Sequence, residues 1–325
     1  MQTSDHLAGF RKRLSLPLIA APMFLVSGVE LVVAACRNGV VGAFPTVNCR
    51  SSEELDRWLT RIESELRLSL YEHGRQPAPV CPNLIVHRSN ARLGEDLKVL
   101  LRHGCEIVIT SVGSPEGVVK PLHEAGALVL ADVASIRHAA RAVEAGADGL
   151  VLLTAGAGGQ TGWLNPFAFV RAVRAFFDGP IVLAGGVSDG RALRAAEVLG
   201  CDLAYMGTKF IATRESMADP RYKAMLVQSS ADDVLLTTAF TGLQTNMLRP
   251  SIVAAGLDPD NLPPRGAIDI GKDIDVTARE QHPKRWRDIW SAGHAISGVT
   301  SVLLVDELIK RTISEYHAAN PARMT

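Results

Sequence analysis

The sequence lacks the features that would suit it to a membrane, to nucleic acid or to an oxidising compartment. Its 34 basic and 34 acidic side chains give a formal net charge of zero, with no basic run of the kind that binds nucleic acid. No apolar segment is as long as a membrane span, and the five cysteines show neither a CxxC pair nor metal-site spacing. We therefore expect a cytoplasmic protein with reduced cysteines and no metal, membrane or nucleic-acid partner.

A Rossmann fingerprint is also missing, because no GxGxxG follows an early strand. What the chain does have is a glycine-containing phrase that recurs where a helix ends and an apolar run begins, at Gly104, Gly126, Gly146 and Gly200. A glycine suits the end of a helix, and the run after it suits a strand buried on both faces. Repetition of this unit predicts parallel strands joined by right-handed crossovers.

Eight such strands can be counted, and eight units favour a closed (β/α)8 TIM barrel over an open sheet. We expect the barrel in residues 1–230 and 299–325, with residues 231–298 as an inserted lid or substrate segment over its mouth. The final helix is predicted to begin near residue 299. The predicted strands are 16–21, 40–44, 80–86, 106–111, 128–132, 149–154, 180–184 and 203–206.

Residues 180–213 organise the rest of the chain, because they read as strand, glycine turn, helix, strand and glycine turn. Gly185-Gly186 and Gly207-Thr208 end two neighbouring parallel strands, which puts free N–H groups on one rim of the barrel. In this fold the loops after strands 7 and 8 form a phosphate site. We therefore interpret these four residues as a phosphate cradle. Lys209, which follows, is expected to point outward or towards the phosphate rather than to form a Schiff base.

Other strand ends suit a flat ring, because they offer small residues, a rigid proline and a side-chain amide. Residues 155–159 have almost no side chain, which we interpret as close approach of a large ligand to the backbone. A site for a flat ring at strands 1, 3 and 6, together with a phosphate site at strands 7 and 8, indicates flavin mononucleotide (FMN) as the ligand. The expected cofactor-binding residues are Ala21, Pro22, Met23, Asn83, Asp132, Ala157, Gly158, Gly159, Gly185, Gly186, Gly207 and Thr208.

With these pieces in place, the chain resembles the nitronate monooxygenase (2-nitropropane dioxygenase-like) family of FMN-dependent barrels, which includes enoyl-ACP reductases and NADH:quinone reductases. The resemblance implies that Gly185, Gly186, Gly207 and Thr208 hold the phosphate of FMN. It also implies that 22–23, 83 and 158–159 line the ring and ribityl chain. The matching pieces, in the family's order, are APM at 21–23, NL at 83–84, AGGQTG at 157–162, AGGV at 184–187 and MGTKFIAT at 206–213.

Two positions depart from the family's pattern. Gln160 stands where the family usually has a histidine that acts as base or proton relay, and glutamine cannot abstract a proton. Asp132 stands where several members have a lysine near the flavin; a carboxylate pointing inward would disfavour an anionic reduced flavin.

We hypothesise that His294, on a segment returning to the mouth, supplies the missing imidazole; the alternative is a structural histidine. Gln160 and His294 are thus the predicted catalytic residues. Gln244 and Asn246 are candidate substrate contacts on a second lid segment, whereas 87, 88 and 138 are expected outside the pocket.

These observations predict an FMN-dependent oxidoreductase acting on a small molecule. The leading function is oxidation of a nitronate or similar stabilised carbanion, with O2 as acceptor and Gln160 holding the substrate oxygen. One alternative is a reductase or dehydrogenase of an enoyl- or acyl-thioester or a quinone, with NAD(P)H as donor. Another is a barrel that binds FMN or a phosphate ligand without catalysis. The sequence leaves monomer and homodimer open, since the apolar final helix suits core, which we favour, or a dimer surface.

Overall fold

Eight parallel strands close into a barrel in the computed structural model, which describes residues 9, 11–262 and 287–319. Closure is made by β1 and β9, where Leu18 pairs with Ala204 and Ala20 with Met206. The predicted (β/α)8 barrel is confirmed. The barrel strands are β1 (Leu18–Ala20), β2 (Val41–Pro45), β3 (Val80–Ile85), β4 (Ile107–Ser111), β5 (Leu128–Val133), β6 (Gly149–Leu153), β8 (Ile181–Ala184) and β9 (Leu203–Met206).

A small second sheet lies on the loop that follows β6. It consists of β7 (Gly159–Gln160), β10 (Val234–Thr237) and β11 (Thr245–Leu248), with β11 antiparallel to both neighbours. Part of the predicted lid is therefore hydrogen-bonded to a barrel loop. Residues 263–286 of that lid lie outside the described residues, so the division into barrel and lid stays a prediction.

Side chains cap the N-termini of some of the helices between the strands. Ser51 accepts a hydrogen bond from the N–H of Glu54 at 3.2 Å, and Asp189 accepts one from the N–H of Ala192 at 2.8 Å. The helices are α1 (Val29–Arg37), α2 (Ser52–His73), α3 (Leu93–Arg102), α4 (Glu116–Glu124), α5 (Ile136–Glu144), α6 (Pro166–Arg174), α7 (Gly190–Leu199), α8 (Thr208–Ile211), α9 (Pro220–Gln228), α10 (Arg249–Ala254) and α11 (Val305–Ala318).

The final helix packs tightly against α7. A Cβ at Gly190 would lie 2.1 Å from the backbone nitrogen of Tyr316 and 2.3 Å from the carbonyl oxygen of Thr312, so the two backbones touch. Leu308 and Ile309 are buried in this contact, which supports the expected core role. The predicted start of the helix near 299 is wrong: the helix begins at Val305, because the apolar residues before it run in extended and irregular backbone.

All five cysteines are free thiols, and four of them are buried. Burial raises the pKa of Cys36, Cys105 and Cys201 to about 12, so these thiols stay protonated and unreactive at neutral pH. No helix among the described residues combines the length and the apolar character needed to cross a bilayer.

Candidate active site

The carboxyl ends of the eight barrel strands form the floor of a pocket, which we call the mouth pocket, with a volume of about 250 Å³. Strand alternation decides which side chains reach it. In β5, Leu128 and Leu130 point into the barrel, so Asp132 does too; in β9, Leu203 points inward and Tyr205 follows. At least one floor residue lies in or directly after each strand, and the set includes Ala21, Pro45, Asn83, Ser111, Asp132, Leu153, Ala184 and Tyr205.

Part of this floor is polar and incompletely satisfied. Asn83 accepts a hydrogen bond from the Ser111 hydroxyl at 3.1 Å, which leaves its Nδ2 without a partner. Within the described ranges, Asp132 Oδ1 and the Tyr205 hydroxyl are also buried and unpartnered. Because buried polar groups are nearly always hydrogen-bonded, three such atoms on one floor point to a ligand with polar atoms.

Asp132 gives the floor its electrostatic character. Burial raises the pKa of its carboxyl from an ordinary value of 3.8 to about 7, so the protonated form is accessible near neutral pH. The pKa of Tyr205 is raised by burial and, to a smaller extent, by the charge of Asp132. The floor can therefore donate hydrogen bonds from Asp132 and Tyr205.

The predicted phosphate cradle has the expected form. Gly185 and Gly186 have φ angles of 125° and 74°, which disfavour any residue with a Cβ, and a Cβ at Gly186 would enter open space. The N–H groups of Gly185, Gly186 and Gly207 donate to no backbone carbonyl among the described residues. These groups and Thr208 line one side of the mouth pocket. The rim can thus offer several N–H donors to an anion.

Residues 155–159, after β6, form a loop that we call the glycine loop. Its backbone is in close contact with another backbone segment of the same chain. A Cβ at Gly158 would lie 2.7 Å from the nitrogen of Gly293, and a Cβ at Gly293 would lie 2.6 Å from the oxygen of Gly156. We expected close approach of a ligand to explain these glycines. The contact with the Gly293 backbone is a second reason for them. Both segments also line the mouth pocket, so their contact shapes its wall.

Asn246 holds this loop in place. Its buried Nδ2 donates to the carbonyl oxygens of Ala155 and Ala157 at 3.0 and 2.7 Å. The expected substrate contact from Asn246 is therefore wrong, because the amide is used to clamp backbone. Gln244 lies outside the mouth pocket but lines the second space that adjoins it, so its expected contact with substrate stays a prediction.

The two predicted catalytic residues differ in placement. Gln160 lines the mouth pocket, half-buried, at the end of β7. The segment that carries His294 returns to the mouth as expected, and Gly293 and Ala295 line the pocket. The side chain of His294, however, is exposed and is not part of the lining, since a short turn of 3₁₀ helix begins there. The structure therefore does not bring an imidazole to Gln160.

All twelve residues predicted to bind the cofactor line the mouth pocket, and further lining residues were not predicted from the sequence. Tyr205 is hidden in an apolar strand, and only the alternation from Leu203 could have indicated it. Tyr222 and Trp290 stack with ring centroids 5.0 Å apart and supply an aromatic wall. Lys209 lies off the pocket, and its Nζ donates to the carbonyl of Gly298.

A second space adjoins the mouth pocket, and we call it the side cavity; its volume is about 700 Å³. His87 and His138, expected away from the pocket, line this neighbouring cavity, whereas Arg88 lines neither space. The residues shared by the two spaces are Val112, Asp132, Leu153, Gln160 and Leu243.

Comparison with solved structures gives the same fold. A nitroalkane oxidase from Streptomyces ansochromogenes matches with a TM-score of 0.78 at 22% identity, over 97% of this chain and 99% of that one. FabK from Thermotoga maritima matches with a TM-score of 0.75 at 21% identity, over 97% and 95% of the two chains.

Sequence comparison identifies relatives with two kinds of name. Nitronate monooxygenases from Pseudomonas aeruginosa and Paraburkholderia phytofirmans are 35% and 28% identical, over 70% and 81% of this chain and 74% and 82% of theirs. A 5-hydroxy-7a-methyl-1-oxo-octahydro-1H-indene-4-carboxyl-CoA dehydrogenase from Mycobacterium tuberculosis is 26% identical over 73% of this chain, and the match spans 64% of its length. The model of the family "Nitronate monooxygenase" matches residues 76–315. The chain therefore belongs to the nitronate monooxygenase family of oxidoreductases.

Proposed function

We propose that the protein is an FMN-dependent oxidoreductase whose cofactor lies in the mouth pocket. The observation that carries the proposal is the set of unpartnered floor atoms, Asn83 Nδ2, Asp132 Oδ1 and the Tyr205 hydroxyl, opposite a rim of free backbone N–H groups. FMN needs both features, because the polar edge of its ring needs hydrogen-bond partners on the floor and its terminal phosphate needs N–H donors on the rim. When bound, FMN would supply two-electron redox chemistry that no side chain offers.

The residues of the pocket fall into three groups by what they would hold. Gly185, Gly186, Gly207 and Thr208 would bind the phosphate, and the polar floor would hydrogen-bond the ring. The backbone of the glycine loop and the side chains of Pro22 and Met23 would contact the rest of the cofactor. The stacked rings of Tyr222 and Trp290 would exclude water from one side.

The leading reaction is oxidation of a nitronate or a similar stabilised carbanion, with O2 as the electron acceptor. Such a substrate has already lost its proton, so the chain needs no base. Of the described residues that line the mouth pocket, none is a histidine or lysine. Gln160 would donate its amide N–H to an anionic substrate oxygen and so orient the substrate. The names of the Pseudomonas and Paraburkholderia relatives support this reaction.

The side cavity favours a second candidate, a reductase or dehydrogenase of an enoyl- or acyl-thioester or a quinone that uses NAD(P)H. A cavity of about 700 Å³ beside the mouth pocket exceeds what a small nitronate needs. The name of the Mycobacterium relative, a carboxyl-CoA dehydrogenase, agrees with a larger substrate. A cytoplasmic location and the choice between monomer and homodimer stay predictions from the sequence.

Anaerobic visible absorbance of the purified protein tests both candidates. The flavin band should bleach on addition of a nitronate if the leading reaction is correct. Bleaching by NAD(P)H alone would select the second candidate, and thioester and quinone acceptors would then be compared. If no flavin band appears after reconstitution with FMN, the proposal of an FMN enzyme is overturned.

A further inference from the structure

The side cavity is lined by basic groups from several elements. Arg137 and Arg141 lie one turn apart on α5, and His87 and His138 also line the cavity. Among the residues that the structure describes, Asp132 is the only acidic one that lines the cavity, at the border with the mouth pocket. Burial raises the pKa of that carboxyl to about 7, so its charge is only partial at neutral pH. The wall of the side cavity is therefore net positive.

Neither arginine is engaged elsewhere. Arg137 and Arg141 are exposed, and within residues 11–262 and 287–319 neither makes an ion pair or a side-chain hydrogen bond. Most other arginines of the barrel have a carboxylate or carbonyl partner, as Arg174 does with Asp202. Two arginines without a partner that line one cavity suit a ligand with more than one anionic group.

The backbone around the cavity adds to the positive potential. Ser114 and Pro115, at the start of α4, and Ser135, at the start of α5, all line it. Each of these helices has nine residues, and a helix N-terminus carries partial positive charge. The arginines and the two helix starts thus act in the same direction.

An aromatic ring completes the lining. Trp163 is 68% exposed although it is the largest apolar side chain of its loop, and it faces the side cavity. An exposed tryptophan beside cationic groups suits the stacking of a planar base. The small nitronates of the leading reaction have no such base and no phosphates.

We propose that the side cavity binds the adenosine diphosphate portion of a co-substrate, with Arg137 and Arg141 on the phosphates and Trp163 against the adenine. NAD(P)H and coenzyme A thioesters share this portion, and the reactive end of either would enter the mouth pocket past Asp132 and Gln160. The proposal rests on the proposed function, in which that pocket holds the redox centre. It assigns a ligand site that the nitronate reaction does not require.

Isothermal titration of the FMN-loaded protein with ADP, NADPH and coenzyme A tests the proposal. ADP reports the shared portion, and the other two ligands distinguish its sources. Arg137→Ala, Arg141→Ala and Trp163→Ala should each weaken binding about tenfold, as expected for the loss of one charge-assisted hydrogen bond or one stacked base. Arg67→Ala, which removes an exposed arginine of α2, is the matched control and should bind as the parent does.

The outcomes separate this proposal from the proposed function, because the flavin spectrum of each sample is recorded alongside. Binding of ADP that depends on the arginines supports the site, whether NADPH, coenzyme A or both also bind. The same result in a protein that takes up no FMN would keep the site and overturn the FMN enzyme. Absence of ADP binding below about 1 mM, or parent-like binding by the arginine variants, overturns the site even if FMN binds.

Discussion

Among single residues, Asp132 has the largest physical consequences. Within 11–262 and 287–319 it is the only carboxyl that lines the mouth pocket, and it lies beside two other buried polar atoms that have no partner there. As an acid it can donate a hydrogen bond to a ligand, and as a carboxylate it repels negative charge. Ligand binding in the mouth pocket should therefore change with pH around neutrality, although Gln160 itself does not titrate.

Replacement of Asp132 by asparagine should stabilise the flavin-free protein at high pH. The raised pKa means that the folded state holds its proton more tightly than the unfolded state, so stability falls as pH rises from 3.8 towards 7. Asp132→Asn removes this loss. We expect the variant to exceed the parent by about 2 to 4 kcal/mol at pH 8 and by less at pH 5.

Urea unfolding at the two pH values measures this difference. Asp178→Asn, at an exposed position after α6, is the control and should behave as the parent at both. A gap between Asp132→Asn and the parent that narrows as the pH rises would contradict the assignment of a buried, proton-holding carboxyl.

Gln160→His should extend the substrate range to neutral nitroalkanes. An imidazole at this place in the pocket lining can take a proton from carbon, with a pKa near 6.5, whereas the amide of glutamine cannot. Oxygen uptake with a neutral nitroalkane should be absent in the parent and rise through pH 6 to 7 in the variant. Gln160→Ala is the control and should raise the nitronate KM about tenfold. If Gln160→His oxidises the nitronate but never the nitroalkane, position 160 does not face the reacting carbon.

At the scale of elements, the contact between α7 and α11 depends on Gly190. Gly190→Ala places a methyl group against the backbone of Tyr316 and Thr312, so the helices must separate. We expect a loss of about 3 kcal/mol or more in the free energy of unfolding. Gly94→Ala, on α3 with nothing within 4 Å of the added Cβ, should be neutral or stabilise by about 0.5 kcal/mol. Equal stability of the two variants in chemical denaturation would disprove the backbone contact.

The Asn246 side chain adds two hydrogen bonds to the backbone pairing between the glycine loop and β11, so Asn246→Asp should loosen the pocket. The carboxylate would face the carbonyl oxygens of Ala155 and Ala157, to which the amide now donates. FMN affinity, followed by flavin fluorescence, should fall at least about tenfold. Gln244→Ala, two residues away and outside the mouth pocket, should keep the parent affinity. Unchanged affinity in Asn246→Asp would mean that the clamp has no part in binding.

The barrel strands could be predicted to within one or two residues, because each is an apolar run buried in the barrel and most of them follow a glycine. The final helix was misplaced at its start because 299–304 is also apolar, and composition does not distinguish a buried loop from a helix. Gly185 and Gly186 were predictable as a rim turn, because paired glycines at a strand end indicate positive φ angles, which only glycine adopts cheaply.

The rest of the site could not be predicted, because it depends on the direction in which each side chain points. The sequence does not give that direction. The segment with His294 was expected at the mouth and reaches it, but the local turn directs the imidazole away. Arg137 and Arg141, one turn apart on α5, have the pattern of an ordinary solvated helix face. Only the tertiary arrangement shows that this face borders a cavity.

For the whole molecule, the mouth pocket is assembled from residues between Ala21 and Ala295, so a cofactor there should stabilise the entire fold. At a concentration one hundred times its dissociation constant, FMN should add about 2.7 kcal/mol to the free energy of unfolding. Thermal scans with increasing FMN should show a single transition that moves upward. Riboflavin, which lacks the phosphate, is the control and should move it less. A transition that ignores FMN would place the cofactor elsewhere.

The packing of Gly293 against Gly156 and Gly158 has a consequence for biosynthesis. A chain emerging from the ribosome exposes its amino-terminal strands first, but the wall of the pocket waits for Gly293, which follows the glycine loop at a long distance in the chain. Barrel closure also joins distant parts of the chain, since β1 must pair with β9 across almost two hundred residues. A nascent chain therefore has no finished pocket wall until the segment around Gly293 has been made. Cofactor capture should then follow the synthesis of that segment.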